Sequence, residues 1–464
     1  MGSPHVLDIV DLLAHELGSA KVLRGEEKLH AYARDESDLP AFWPDGAVLC
    51  ASREEVALVL RLCAEHRVPV TPRGAGTGMT GGALPVAGGI VLSTERMTAI
   101  REIEADDLLA VVEPGVILGD FQEAVESQGL FYPPDPASLA MCSLGGNVAE
   151  NAGGPRAFKY GVTREYIIGL EVALMGGELL NLGRRTAKGV TGYDLVGAFV
   201  GSEGTFGVTT EITVKLLPRP TGVATLLAVF PSMGAAGDAV TAVLRRGHRP
   251  RALEIMDRLS IDHVRPKAPY RFPVGAEAVL ILELDGDLEG LEPAVLRCAD
   301  TCGEHGALDV LVAKDEAERR KLWQSRRICS PSLREAHRHK IAEDIAVPRG
   351  AIPEMLRRID RVARKFELPV ATFGHAGDGN LHVNFLCDED RTLAPVARRI
   401  DGAVEALFVE TMALRGTLSG EHGIGLKKQR YMPLEQSASV IAWQKKLKRL
   451  WDPDDLLNPG KIFP

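Results

Sequence analysis

An α+β fold in two successive domains, closed by a helical tail, is what this sequence predicts. Three observations carry it. Up to about residue 220, short β-branched runs alternate with stretches of helical periodicity and many glycines. Pro218-Arg219-Pro220 then punctuates the chain, and beyond it longer apolar runs alternate with longer helical patterns. The last ~45 residues return to a helical pattern and end in Asp452-Pro453-Asp454-Asp455-Leu456-Leu457-Asn458-Pro459-Gly460-Lys461. The expected divisions are 1–220, 221–415 and 416–464.

Val68 to Thr71, Gly89 to Ser93, Leu108 to Glu113 and Leu170 to Met175 read as strands bounded by turn residues. Glu54 to Glu65 places Val56, Leu58, Val59 and Leu62 at helical spacing. After the proline pair, Ala224 to Pro231 and Ala278 to Asp285 predict strands of an antiparallel sheet. Met233 to Arg246, Leu288 to His305 and Asp315 to Arg327 predict helices. A further strand at Val370 to Phe373 leads into a histidine-bearing segment, and Ser437 to Trp451 predicts the last helix.

The composition narrows the class. With 464 residues, 45% hydrophobic and 25% charged, the chain suits an ordinary globular protein of two or three domains. A net charge of −9 argues against nucleic acid or an anionic membrane as a main partner. No run of 18 apolar residues exists, so no membrane span is expected. Met1 to Lys21 is amphipathic and acidic, unlike a signal peptide. Seven scattered cysteines without paired spacing fit reduced thiols in cytoplasm, and they offer no iron–sulfur motif. Cys298 and Cys302, four apart on a helix, read as buried thiols rather than ligands.

Three glycine-rich clusters dominate the first half. Pro72-Arg73-Gly74-Ala75-Gly76-Thr77-Gly78-Met79-Thr80-Gly81-Gly82 matches GxGxxG by letter at 76–81, but a strand rather than a helix follows, which disfavours a Rossmann fingerprint. Bare backbone amides can instead cradle a pyrophosphate as a nest, with a flexible surface loop as the bland reading. Pro133-Pro134-Asp135-Pro136 with Ser143 to Gly154, and Gly201 to Val208, are the other two. Each alone is turn chemistry; together they suggest one extended polar ligand lying on backbone.

The second half carries Gly374-His375-Ala376-Gly377-Asp378-Gly379-Asn380-Leu381-His382 and Ser419-Gly420-Glu421-His422-Gly423-Ile424-Gly425. Asp378-Gly379 is a hairpin signal that brings His375 and His382 within reach of one ion. Glu421 is the third donor, and three protein ligands leave a position for substrate. Neutral imidazole and carboxylate suit zinc, manganese or iron. Spacing alone leaves a metal site and structural histidines evenly matched. Asp378 reads as a turn residue before a ligand. His422, next to Glu421, is the candidate base, since imidazole titrates near neutral pH.

On these motifs, from about Ala51 to Pro464, the chain resembles the flavin-dependent oxidases of the vanillyl-alcohol-oxidase (PCMH) type. Within them it is similar to the D-2-hydroxy-acid dehydrogenases: the glycolate oxidase flavin subunit, D-lactate dehydrogenase and D-2-hydroxyglutarate dehydrogenase. The resemblance implies a two-subdomain FAD-binding domain, a substrate cap domain and a C-terminal segment returning to the flavin. It implies Pro72, Arg73, Gly74, Ala75, Gly76, Thr77, Gly78 and Thr80 at the pyrophosphate. Pro134, Ser138, Gly145, Asn147, Asn151 and Gly154 would line the flavin. Glu203, Gly204, Gly207 and Val208 would reach its adenosine side, and Asn458 would close the site. Thr77 stands where some relatives hold a flavin-linking histidine, which implies dissociable FAD. His375, His382 and Glu421 correspond to ligands of a divalent ion, zinc before manganese, iron or cobalt. That ion would bind the hydroxyl and carboxylate of the acid, His422 would take the hydroxyl proton, and hydride would pass to flavin N5.

Arg326, in Trp323-Gln324-Ser325-Arg326-Arg327, corresponds to a substrate-carboxylate arginine, and Asn384 to a substrate contact; Arg327 reads as an exposed helix residue. The run Arg334 to Lys340 reads as solvated, with Lys340 reaching the pocket. In the D-2-hydroxyglutarate enzymes a lysine stands six residues before a proline. Here that place, counted from Pro348, is Ala342, two residues from Lys340. The departure favours glycolate or D-lactate over D-2-hydroxyglutarate. The expected partners are the acid, an acceptor (quinone, electron-transfer flavoprotein or cytochrome), and a second copy or an iron–sulfur subunit.

Overall fold

The computed structural model describes residues 4–464; Met1–Ser3, where the acidic N-terminal stretch begins, lie outside the described residues. The chain divides into two compact units. The first takes the chain up to Gly153, Val162–Arg219 and His422–Pro464, and the second takes Gly154–Gly161 and Pro220–Glu421.

In the first unit, β1 (Val22–Leu23), β2 (Gly46–Leu49), β3 (Val70–Arg73) and β4 (Ile90–Ser93) form a sheet of order β1-β2-β4-β3, parallel except at β1. The helix Arg53–Glu65 opens on Ser52, whose side chain accepts from the Glu55 amide, and buries Val56, Val59, Leu60 and Leu62 against it. β5 (Ile100–Glu104), β6 (Leu109–Val112), β8 (Ile167–Ala173), β9 (Leu179–Gly183) and β10 (Val208–Lys215) form an antiparallel sheet of order β5-β6-β10-β8-β9. β7 (Leu130–Phe131) pairs with β11 (Leu217–Pro218). After the last helix, Ala438–Trp451, the chain runs extended along β3: the Val70 amide donates to Leu456 and the Asn458 amide donates to Val70.

The second unit is built on one antiparallel sheet of β12 (Gly222–Phe230), β13 (Ala252–Asp257), β14 (Ala278–Gly286), β15 (Asp309–Val312), β16 (His339–Ala346), β17 (Val370–His375) and β18 (Asn380–Cys387). Its order is β15-β12-β14-β13-β17-β18-β16. The helix Glu316–Ala336 lays Leu322, Cys329 and Leu333 on the face that carries Met256, Phe373, Ala371 and Leu386. This helix runs nine residues past the Arg327 end that the sequence suggests, through Pro331. Burial of Cys329 and Leu333 outweighs the missing proline donor. Met233–Arg245, Leu288–Glu304 and Ile352–Lys365 also pack on the sheet.

Two boundaries differ from the sequence reading. Residues 416–421 stay with the second unit, because Thr417 bridges Ala346 and the Asp344 carboxylate holds Ser419, Gly420 and Glu421. Gly154–Gly161 joins the second unit because Lys159 and Tyr160 both bind Asp285.

Candidate active site

The first glycine loop follows β3. From Gly74 to Thr80 no amide N–H finds an acceptor within the chain among the described residues. Consecutive bare amides form an anion nest, so the loop fits the pyrophosphate of a dinucleotide. At Gly76, with φ of 71°, a Cβ would stand 2.0 Å from Arg73 Nη2. Arg73 itself serves the structure: its guanidinium donates to the Arg34 and Ala31 carbonyls and lies over Tyr32. Pro72, Gly74, Thr77 and Gly78 are half-buried and Ala75 is exposed.

The other clusters are tied to this one within the first unit. Ser143 caps the helix Leu144–Glu150 and lies where a Cβ on Gly74 would strike it. The Ser138 carbonyl closes the turn before that helix, and the Pro134 carbonyl accepts from Gln122. Gly145 packs on Pro114, and the buried Asn147 Nδ2 finds no partner among the described residues. That orphaned donor fits a ligand atom. Asn151, at φ 54°, receives the Arg164 amide. Gly154 opens the segment that clusters with the second unit.

Asn458 joins the loops. Its Nδ2 donates to Gly82 and to Glu203, each at 2.9 Å, while Lys461 reaches its Oδ1 and the Leu84 carbonyl. Burial pushes the Lys461 ammonium down to about 8, against the pull of Asp35 and Glu203. Asn458→Ala is expected to cost roughly 2–3 kcal/mol, about 1 kcal/mol for each lost bond and the rest from left-handed backbone, and to speed FAD loss. An unchanged urea midpoint together with unchanged flavin release would remove this role.

Glu203, expected beside adenosine, spends both carboxylate oxygens on the Ile424 and Gly425 amides. Gly204 abuts Pro72, Gly207 packs on Phe199, and Val208 starts β10. Thr80 helps Glu203 hold the same segment: its hydroxyl donates to the His422 carbonyl, and its own carbonyl accepts from Leu426 and Lys427. His422 thus stands on a backbone fixed from two loops. Glu150, absent from the sequence expectations, is half-buried, and its buried Oε2 has no partner among the described residues. Burial, then Glu203 and Asp35, push its carboxyl well above the usual range.

The second unit builds a separate constellation on the sheet face beneath the helix Glu316–Ala336. Strand alternation puts Phe373 and His375 on one face of β17, and His382 and Asn384 on the same face of β18. Register sets Glu254 opposite His375, and Asp344 opposite His382. Donor atoms of His375, His382 and Glu421 lie within 4.8 Å of one another. His375 Nε2 is 3.7 Å, and His382 Nε2 3.4 Å, from Glu421 Oε1. Asp378 turns the hairpin by accepting from the Asn380 amide and stands outside this trio.

Two carboxylates that the sequence did not single out orient the trio. Fully buried Glu254 accepts from His375 Nδ1 and, at 2.7 Å, from Arg326 Nε. Burial works against charge on His375, but Glu254 and then Glu421 outweigh it and hold its pKa well above the ordinary value. A carboxylate behind the outer imidazole nitrogen fixes the tautomer that presents Nε2, as metal-binding histidines require. Asp344, also buried, accepts from the Gly420 and Glu421 amides at 2.7 Å each and from Ser419. Gly420 is obligatory, since a Cβ there would meet Asn380 Nδ2 at 2.0 Å. The donor set and its supporting carboxylates fit a borderline divalent ion.

Arg326 lies over Phe373, its ring centroid 4.5 Å away, and gives Nε to Glu254, with no bond from its Nη atoms among the described residues. Asn384 donates to the Ala371 and His382 carbonyls, and its buried Oδ1 has no partner among the described residues. Lys340 shares the strand face of Ala342 and donates to Ser330 at 2.6 Å.

Residues 219–462 match the family described as FAD linked oxidases, C-terminal domain, and residues 44–183 match an FAD binding domain. The chain belongs to the FAD-linked oxidase family. It is 40% identical to the glycolate oxidase subunit GlcD of Bacillus subtilis (strain 168), over 93% of this chain and 92% of that protein. It is 34% identical to a D-lactate dehydrogenase of Anaerostipes hadrus, over 96% of this chain and 95% of that protein. Its fold superposes on p-cresol methylhydroxylase with a TM-score of 0.80, covering 100% of this chain and 97% of that chain at 19% identity. This FAD-linked oxidoreductase has the PCMH-type fold that its sequence suggests. Among its described residues no helix is long and apolar enough to cross a membrane.

Proposed function

We propose that the protein oxidises a D-2-hydroxy acid to the 2-oxo acid, using dissociable FAD and a divalent ion held by His375, His382 and Glu421. The convergence of those three donors, backed by Glu254, carries the reading. FAD, when bound, takes up the hydrogen and two electrons that leave the carbinol carbon. A divalent ion supplies a Lewis acid for the hydroxyl, with zinc the first choice and manganese, iron or cobalt as alternatives.

The chain's own residues do the rest. His422 accepts the hydroxyl proton, from a backbone held by Thr80 and Glu203. Arg326 retains its Nη donors for the substrate carboxylate, and Glu254 keeps its fork oriented. Asn384, whose Oδ1 has no partner among the described residues, is a further polar contact for the substrate. Thr77 leaves no histidine for a flavin bond in the nest. Lys340 is occupied by Ser330, which favours a short acid, glycolate or D-lactate, with D-2-hydroxyglutarate the alternative should Lys340 be released. Electrons then pass to a quinone, an electron-transfer flavoprotein or a cytochrome, directly or through an iron–sulfur subunit, from a monomer or a homodimer. Seven buried, free cysteines suit a reducing cytoplasm.

Anaerobic mixing with D- and L-acids tests the reading through flavin absorbance at stoichiometric enzyme. Glycolate and D-lactate are expected to bleach the flavin and L-lactate to leave it oxidised. Bleaching by none of the D-acids rejects the activity. Full turnover after chelation would instead favour a metal-free flavin oxidase or synthase.

A further inference from the structure

Outside the trio, the second unit brings two more histidines face to face. His263 lies on the helix Arg258–Val264, and His337 caps the helix Glu316–Ala336. Their Nε2 atoms are 3.1 Å apart. Each outer nitrogen faces an acceptor. His263 Nδ1 is 2.8 Å from the Leu259 carbonyl, which can only accept, so this nitrogen carries a hydrogen. His337 Nδ1 is 3.0 Å from Asp388 Oδ2. The Arg338 amide, and then His337, hold the Asp388 carboxyl below its usual range, so it too accepts. With both hydrogens on Nδ1, each neutral ring has only a lone pair on Nε2. Two lone pairs at that distance repel unless a cation lies between them.

We propose that His263 and His337 form a second metal site, a two-imidazole chelate for a borderline divalent ion, with water completing its shell. An ion about 2.1 Å from each nitrogen in tetrahedral geometry separates the two by roughly 3.4 Å, close to the spacing already present. A carbonyl behind one ring and a carboxylate behind the other are the supports that metal-bound imidazoles use. Both histidines are half-buried, so solvent ions reach them. The site ties together two helices that matter to the sheet. Asp257 caps the first and accepts from the Thr372 amide of β17, while Arg326 on the second holds Glu254. The ion would therefore staple the scaffold behind the trio without touching it, and the inference stands whether or not the trio binds metal.

Equilibrium dialysis of the FAD-loaded protein against Zn²⁺, with elemental analysis, tests it. The wild type should hold one more equivalent than His263→Gln or His337→Gln, and His382→Ala should keep that equivalent. Zn²⁺ should raise the melting temperature of His382→Ala but not that of the double variant with His263→Gln. Cu²⁺ added to His382→Ala, whose pair is intact, should give an electron paramagnetic resonance spectrum with two imidazole nitrogens. Equal zinc content in the wild type and both glutamine variants, or a copper spectrum without nitrogen ligands, overturns the site and leaves a shared proton as what the pair holds.

Discussion

Glu421→Ala is expected to cut turnover sharply while leaving the flavin bound. Glu421 is the only carboxylate of the trio, and its Oε1 faces both Nε2 atoms, 3.7 Å from His375 and 3.4 Å from His382. Without it, two histidines remain, a set that binds a divalent ion weakly and positions it poorly. Losing the Lewis acid removes the stabilisation of charge developing on the substrate oxygen, which is expected to lower kcat on the order of 10³-fold. FAD content should stay near that of the wild type, because the amide nest from Gly74 to Thr80 and its neighbours belong to the first unit. The measurement pairs flavin absorbance per chain, bound metal per chain and anaerobic bleaching rate. Glu421→Gln keeps the shape and loses the charge, so it should fall between the two. Dialysis against chelator should reproduce the loss in the wild type, and Zn²⁺ or Mn²⁺ should restore the wild type but not Glu421→Ala. Near-normal turnover in the alanine variant would remove the ion from the chemistry.

The histidine pair was legible because its signal is local. Asp378-Gly379 dictates a tight hairpin, and a hairpin fixes which side chains share a face. The glycine loops were legible as backbone chemistry for the same reason: small residues in series cannot hide their amides. Glu254 and Asp344 were not legible, although both are buried and fully engaged with the residues they support. Glu254 stands 121 residues from His375 and meets it only through the pairing of β13 with β17. Strand register across such a separation is not written in either segment. One clue was available: Leu253-Glu254-Ile255-Met256 sets a single carboxylate inside an apolar strand, and a buried charge needs a partner. The helix Glu316–Ala336 teaches the converse. Its helical pattern read from the sequence ends at Arg327, yet the helix continues through Pro331 to bury Cys329 and Leu333. Glu203 shows a third limit, since a residue can belong to a nucleotide-binding motif and still spend its carboxylate on backbone.

Asp344→Ala is expected to damage stability and the trio together. The carboxylate is fully buried and accepts two amide bonds of 2.7 Å, from Gly420 and Glu421, besides the Ser419 hydroxyl. Bonds to a buried charge contribute about 1.5–3 kcal/mol each, and removing the acceptor strands both amides away from water. A loss of roughly 3–5 kcal/mol follows, visible as a lower urea midpoint at unchanged slope. Asp344→Asn should recover part of it, because one amide oxygen still accepts while its NH₂ faces donors. The chemical consequence separates this residue from an ordinary buried contact. Gly420 and Glu421 are the residues that Asp344 holds, so release of this segment should lower metal occupancy as well as stability. Glu254 still holds His375 in the variant, and the hairpin is intact, so the two imidazoles remain in place. The expected result is a protein that binds FAD, holds less metal, and recovers activity as added Zn²⁺ is raised. A variant with the stability loss but full metal affinity would show that the Glu421 backbone finds its place without Asp344, and that the carboxylate serves the fold alone.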